Sequence, residues 1–364
     1  MKMSYSEAHM KILLTGGTGF FGGVIKGHLQ QSGFDYVNLD RINDLQDEAA
    51  GKMALVDIRD AAAVDATFQK FGPFDAVLHV AAELAHEAHD KQGLWNSNVE
   101  GSRNVADSCK RHGVKKLIFT STNCLWGKPL NRPVVENDPA CPVEIYGKSK
   151  LKAEEILLGY RSDMDVIIFR SPTIIAPGRL GLLGILFDFI AEGRRLPVVS
   201  RKNKPYQFIC ADDYAQAILL AIAHEGSDIF NVGSHNATSL EDSYRYVIEH
   251  AHSKSKIYHL PEFPTLPIMR LCHILKISPL GPYQYNMIAE GFVFDTSHVE
   301  STLNWHPTKT NGEILYAAYD FYVKHKQELE DNAHSLPAHR RKSRMGIIRF
   351  LKWFSYLVCS TALV

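Results

Sequence analysis

A chain of 364 residues with 45% hydrophobic and 22% charged residues carries enough apolar surface for a large core, which excludes a disordered or fibrous protein. The formal charge is zero overall but uneven: Arg340, Arg341, Lys342, Arg344, Arg349 and Lys352 follow Asp331 with no acidic residue among them, so the preceding body is acidic. That balance argues against a nucleic-acid-binding body. Six cysteines (109, 124, 141, 210, 272 and 359) show no C-x-x-C pair and no zinc-ligand spacing, so they read as free thiols of a reducing compartment, with no metal centre expected.

Residues 1–9 are polar, lack the apolar run of a secretory signal and are expected to be disordered, with the folded chain starting near Met10. Lys11-Ile12-Leu13-Leu14-Thr15 then reads as a strand entering Gly16-Gly17-Thr18-Gly19-Phe20-Phe21-Gly22, and Val24 to Gln31 reads as an amphipathic helix. Glycines at this G-x-x-G-x-x-G spacing let a backbone approach a pyrophosphate, whose charge the helix N-terminus stabilises. A plain strand-to-helix turn is the alternative. The dinucleotide reading gains weight from Val37-Asn38-Leu39-Asp40, a second strand ending in a carboxylate about 20 residues on, where a ribose-binding acid belongs.

Ala54 to Leu55 starts a short third strand that runs into Asp57-Ile58-Arg59-Asp60, which places Asp57 and Ile58 beside the adenine. Ala61 to Phe71 has helical periodicity, and Asp75 to Ala82 is an apolar strand ending in the small residues Ala81 and Ala82. These two either face the cofactor or pack closely. A helix over Asn96 to His112 and a strand over Lys116 to Ser121 continue an alternation that predicts a parallel sheet covered on both faces. Thr122-Asn123-Cys124 closes that strand, and Tyr146-Gly147-Lys148-Ser149-Lys150 opens the next helix. Tyr and Lys at i and i+4 share a helix face, so the ammonium can favour the phenolate and make a general base, although an amphipathic surface helix has the same pattern.

With these residues in order, the chain resembles an extended short-chain dehydrogenase/reductase of the NAD-dependent epimerase/dehydratase type over residues 11–325. The resemblance rests on the glycine turn, Asp57-Ile58, Asn98-Val99, Thr122, Tyr146 to Lys150, Arg170-Ser171-Pro172, Phe208 to Asp213, Phe230 to Gly233 and Leu303-Asn304-Trp305. It implies a Rossmann-type doubly wound α/β sheet with a smaller C-terminal substrate domain. Residues 10–173 would bind NAD, with 206–234 returning to that domain. Residues 174–205 and 235–330 would hold the substrate.

The resemblance also implies roles. Tyr146 is the general base, Lys150 binds the nicotinamide ribose, Thr122 hydrogen-bonds the reacting oxygen, and Asn98 supports the lysine through a water. NAD contacts are expected from Gly16, Thr18, Gly19, Phe20, Phe21, Gly22, Asp40, Arg41, Asp57, Ile58, Ala81, Ala82, Asn98, Tyr146, Lys150 and Ser171. Asp40 favours NAD over NADP by repelling a 2′-phosphate, with Arg41 beside it pulling the other way. Dehydratases of this type carry acidic residues after the active-site Thr; Asn123 and Cys124 stand here, which disfavours dehydration. Cys124 resembles in position the acid/base cysteine of GDP-fucose synthase, with a buried structural thiol as the alternative. Thr173 stands where UDP-galactose 4-epimerase has a diphosphate-contacting Asn.

The expected activity is epimerisation of a nucleotide- or polyprenyl-diphosphate-linked sugar through a keto intermediate. The alternatives are a net dehydrogenase or ketoreductase, as in hydroxysteroid dehydrogenases, and a non-catalytic NAD sensor. Arg179, Arg201, Lys202 and Lys204 are candidate diphosphate contacts or solvated surface charges. A homodimer is usual for the family. The tail, 331–364, has basic residues interleaved with Phe350, Trp353, Phe354 and Tyr356, the composition of an interfacial helix, so peripheral contact at the cytoplasmic face of a membrane is expected. A helix docked on protein is the alternative.

Overall fold

The computed structural model describes residues 10–84, 90–128, 130–181, 183–199, 204–261 and 290–331, with single positions between 263 and 271. The expectations for the N-terminal nine residues, Arg201, Lys202 and the basic tail lie outside the described residues.

The elements follow in order as β1 (Lys11–Thr15), α1 (Phe20–Gln31), β2 (Asp35–Asp40), α2 (Leu45–Ala49), β3 (Met53–Leu55), α3 (Ala61–Phe71), β4 (Ala76–His79), α4 (Lys91–Trp95), a π-helical turn (Asn96–Glu100), α5 (Gly101–Arg111) and β5 (Lys116–Thr122). Next come a single 3-10 turn (Asn123–Leu125), α6 (Ile145–Leu158), β6 (Asp165–Ser171), β7 (Thr173–Ile175), α7 (Leu183–Ala191), β8 (Leu196–Val199), β9 (Phe208–Cys210), α8 (Ala211–Ile222) and β10 (Asp228–Asn231). The described chain closes with α9 (Leu240–His250), β11 (Ile257–Leu260), α10 (Ser297–Leu303), α11 (Asn311–Lys324) and α12 (Lys326–Asp331).

Seven strands form one parallel sheet in the order β10-β6-β5-β4-β1-β2-β3. The order reverses between β1 and β4, the switch point at which open α/β sheets bind ligands. Strand alternation supplies both cores. Ile12, Leu14, Ile118 and Ile167 face α1 and α8, where Phe21 stacks on Tyr214 at 4.5 Å. Leu13, Val77, Leu117, Phe119 and Ile168 face the side covered by α3, α5 and α6. This is the expected doubly wound sheet.

The helix expected over Asn96 to His112 is two pieces, a π-helical turn and α5, and α4 precedes them. The π-helical turn sits between α4 and α5, and a Cβ added at Gly101 just after it would lie 2.7 Å from Ile58. Such single turns of wider helix recur at functional sites. A third core gathers Phe187, Ile190, Val247, Leu315 and Tyr322 from α7, α9 and α11, beside the two-stranded sheets β7/β9 and β8/β11. Among the described residues no helix is long and apolar enough to cross a membrane.

Candidate active site

The first turn is defined by backbone. Gly16 has φ +78° and an added Cβ would fall 2.7 Å from the Ala81 backbone, whereas one on Gly22 would fall 2.0 Å from the Gly16 carbonyl oxygen. Glycine is therefore required at both, and the first turn of α1 starts from Gly19 with no side-chain cap. Phe20 and Phe21 open the helix. Asp40 accepts from the Thr18 and Ile42 N–H groups, both at 3.0 Å, and burial pushes its carboxyl above the usual range despite them. Behind the turn, Asn38 donates to Thr18 Oγ1 at 3.1 Å and to Asp47 at 2.7 Å, and Asp47 also takes Tyr36 and Lys26. Sequence reading passed over this support. Its signal was a polar residue in the middle of a buried strand.

Around the rim, Asp57 holds Arg59 through both carboxylate oxygens and stays ionised well below its usual pKa because of that pair, while Ile58 is buried against Gly101. Ala81 and Ala82 follow β4, and Ala81 faces Gly16. Arg41, half exposed, stands 3.8 Å from Glu83 Oε2, a buried oxygen with no hydrogen-bond partner among the described residues. Backbone shape, a carboxylate at the end of β2 and a helix start without a side-chain cap together fit NAD.

The second turn is defined by side chains. Trp126 and Cys141 bridge, with Gly127 N–H to Cys141 carbonyl at 3.0 Å and Cys141 N–H to Leu125 carbonyl at 2.9 Å, so the chain before α6 lies along the chain after β5. Gly147 lets α6 press in, since a Cβ there would sit 2.2 Å from the Cys124 carbonyl oxygen. Thr122 caps the 3-10 turn by accepting from the Cys124 N–H at 3.2 Å, and the Tyr146 end of α6 packs against that turn. Burial raises the phenol above its ordinary pKa, a Cys124 thiolate would raise it further, and Arg179 and Thr122 pull it down. Lys150 is 2% exposed, its ammonium lies 3.9 Å over the Phe119 ring, and burial drops its pKa to about 7 against the pull of Glu154. Arg179 is a cation whose charge pulls the phenol pKa down.

Asn98, on the π-helical turn, accepts from the Glu83 N–H at 2.7 Å and donates to the Glu83 carbonyl and to Ser149 Oγ, both at 3.0 Å. Ser149 in turn donates to the Tyr146 carbonyl at 2.8 Å. The asparagine thus bridges the end of β4 to the catalytic helix directly. Ser171 lies beside Thr122 across β5 and β6, and its hydroxyl reaches the Ser121 carbonyl at 3.4 Å. Arg170 donates to buried Glu154 at 2.7 Å and to the Glu136 carbonyl at 2.7 Å, pinning α6 to β6. Arg179 sits 4.9 Å over Phe20 and donates to the Ile174 carbonyl at 2.8 Å, whereas Lys204 pairs with Glu290 at 3.1 Å. Among the described residues no group of three His, Cys, Asp or Glu side chains is set to hold a metal ion.

A sequence profile of the NAD dependent epimerase/dehydratase family matches residues 12–233. The chain belongs to that family. It is therefore an NAD-dependent enzyme of the extended short-chain dehydrogenase/reductase type. It is 31% identical over 320 residues to uncharacterized protein y4nG of Sinorhizobium fredii, covering 87% of this chain and 80% of that one. It is 28% identical over 346 residues to UDP-glucose 4-epimerase of Streptomyces lividans, covering 88% and 98%. Among solved structures, the Bordetella bronchiseptica enzyme WbmG in complex with NAD and UDP superposes with a TM-score of 0.71 at 21% identity over 88% of this chain and 96% of that one.

Proposed function

We propose that the enzyme is an epimerase acting on a sugar activated by a diphosphate carrier, with UDP as the nucleotide class that its relatives favour. The observation that carries this reading is Tyr146 at the start of α6, pressed at Gly147 onto the turn that Thr122 caps at the end of β5, in the same parallel sheet whose switch point carries the glycine turn. NAD, when bound, supplies a hydride acceptor and then a hydride donor. The chain's own residues do the rest. Gly16, Gly19 and Gly22 give the pyrophosphate its approach, Asp40 takes the adenosine ribose, and Lys150 holds the nicotinamide ribose.

Tyr146 removes the proton of the sugar hydroxyl while Thr122 fixes the same oxygen, and the phenol returns the proton after the keto sugar has turned its other face. A half-buried phenol needs cations to act as base, and Arg179 and Lys150 are the cations proposed to serve it. Asn123 and Cys124 put no carboxylate after Thr122, which favours epimerisation over dehydration. Residues 174–205 and 235–330 would grip the sugar and its carrier, in a homodimer.

Purified protein incubated with UDP-sugars and no added cofactor should interconvert 4-epimers without net NADH; accumulation of NADH would instead identify a dehydrogenase. Tyr146→Phe should bind NAD and lose about 10²–10⁴-fold in turnover, as expected for a missing general base. Near-normal turnover of that variant would refute the assignment.

A further inference from the structure

Phe119 and His79 are register partners on β5 and β4, so their side chains stand together on the face covered by α6. Their rings stack with centroids 5.4 Å apart and planes 26° apart, and the Lys150 ammonium lies 3.9 Å from the centroid of the Phe119 ring. We propose that Phe119 is a positioning residue for Lys150: its ring face holds the buried ammonium charged and in place, and His79 flanks that ring as a permanently neutral partner. The proposal rests on the role given to Lys150 above.

An ammonium taken out of water needs a compensating partner. The charged and titratable groups acting on Lys150 are Glu154, one turn on along α6 and itself held by Arg170 from β6, and His79 from β4. Glu154 is committed to the guanidinium. The ring quadrupole supplies attraction where a second carboxylate would be costly to bury.

The neutrality of His79 follows from its hydrogen bonds. Thr15 Oγ1 accepts from the Val80 and Ala81 N–H groups, both at 3.2 Å, so its own hydrogen goes to His79 Nδ1 at 2.7 Å. Ser102 Oγ donates to the Asn98 carbonyl at 2.7 Å, so it accepts from His79 Nε2–H at 2.9 Å. Both nitrogens are thereby assigned, one as acceptor and one as donor. A second proton has no place, and no positive imidazolium competes with the ammonium at Phe119.

The test is a titration of Lys150 by NMR of 13Cε-labelled lysine in NAD-free protein, the resonance being assigned by its loss in Lys150→Met. Phenylalanine at position 119 is replaced by its mono-, di- and trifluoro analogues, which keep shape and apolarity while draining the negative face. Removing the face altogether, as in Phe119→Leu and Phe119→Met, should lower the Lys150 midpoint by roughly one pH unit. The fluorinated series should lower it stepwise, and the pH profile of turnover should move with it. An unchanged midpoint through the fluorinated series overturns the proposal. If Lys150→Met turns over normally, the role of Lys150 itself falls, which is a separate result.

Discussion

The two turns that face each other across the candidate site are built by opposite means. The turn after β1 is made of backbone: glycine at Gly16 and Gly22 is dictated by contacts with the Ala81 backbone and with the turn's own carbonyl. The turn after β5 is made of side chains, Thr122, Cys124, Tyr146 and Lys150, with the Lys150 ammonium set over Phe119 of β5 and α6 pressed onto the turn at Gly147. A backbone-defined site depends on a short local stretch. A side-chain-defined site depends on register partners and on how a helix is pinned from behind.

The sharpest way to break the second turn without touching it is therefore Glu154→Ala. Glu154 is the carboxylate that Arg170 needs on the buried side of α6, with side-chain exposures of 2% and 8%. Removing one member of a buried pair should cost about 3–5 kcal/mol. Urea unfolding should show that loss, and the helix carrying Tyr146 and Lys150 should lose activity with it. A loss under 1 kcal/mol would mean that α6 is held by packing alone.

Breaking the first turn should cost less, because a backbone can shift a little. Gly22→Ala puts a methyl 2.0 Å from the Gly16 carbonyl oxygen. Overpacking of this kind costs about 1–3 kcal/mol, so NAD affinity measured by calorimetry should fall by roughly 10- to 100-fold. Stability without NAD should change by no more than the same amount. Unchanged NAD affinity would place the pyrophosphate elsewhere.

The same contrast explains what the sequence carried. The glycine spacing, Asp40 at the end of β2 and the alternation of apolar strands with helices are local, and they led to the parallel sheet and to NAD. Tyr146 and Lys150 were visible as an i, i+4 pair, but the resting place of the ammonium on Phe119 was not. It depends on a residue 31 positions earlier whose neighbour across the sheet is His79. Asn38, Ser102 and Ser149 were missed for the same reason: small polar residues inside apolar elements gain meaning only from partners far along the chain. The break of the helix at Asn96–Glu100 was also invisible, since its residues fit an ordinary helix and the wider turn is set by what Asn98 must reach.

The smallest effect expected is a pH dependence that sets the turns apart. His79 is fully buried, and burial, helped by the Lys150 charge, lowers its pKa from 6.5 to about 3. Unfolded chain takes up a proton at about pH 6.5 while folded chain does not, so the contribution of neutral His79 is complete above 6.5 and is lost as pH falls towards 3. The slope cannot exceed about 1.4 kcal/mol per pH unit for one group. Between pH 6.5 and 5.5 the loss is therefore about 1 kcal/mol. Asp40 and Lys150 are present in wild type and variant alike, so their titration cancels in the comparison. Urea unfolding of wild type and His79→Asn at the two pH values measures it: wild type should lose about 1 kcal/mol more than the variant, because the variant has no imidazole to protonate in its unfolded state. Equal losses would mean that His79 takes up a proton inside the fold, and the Thr15 and Ser102 bonds would then not fix its neutral form.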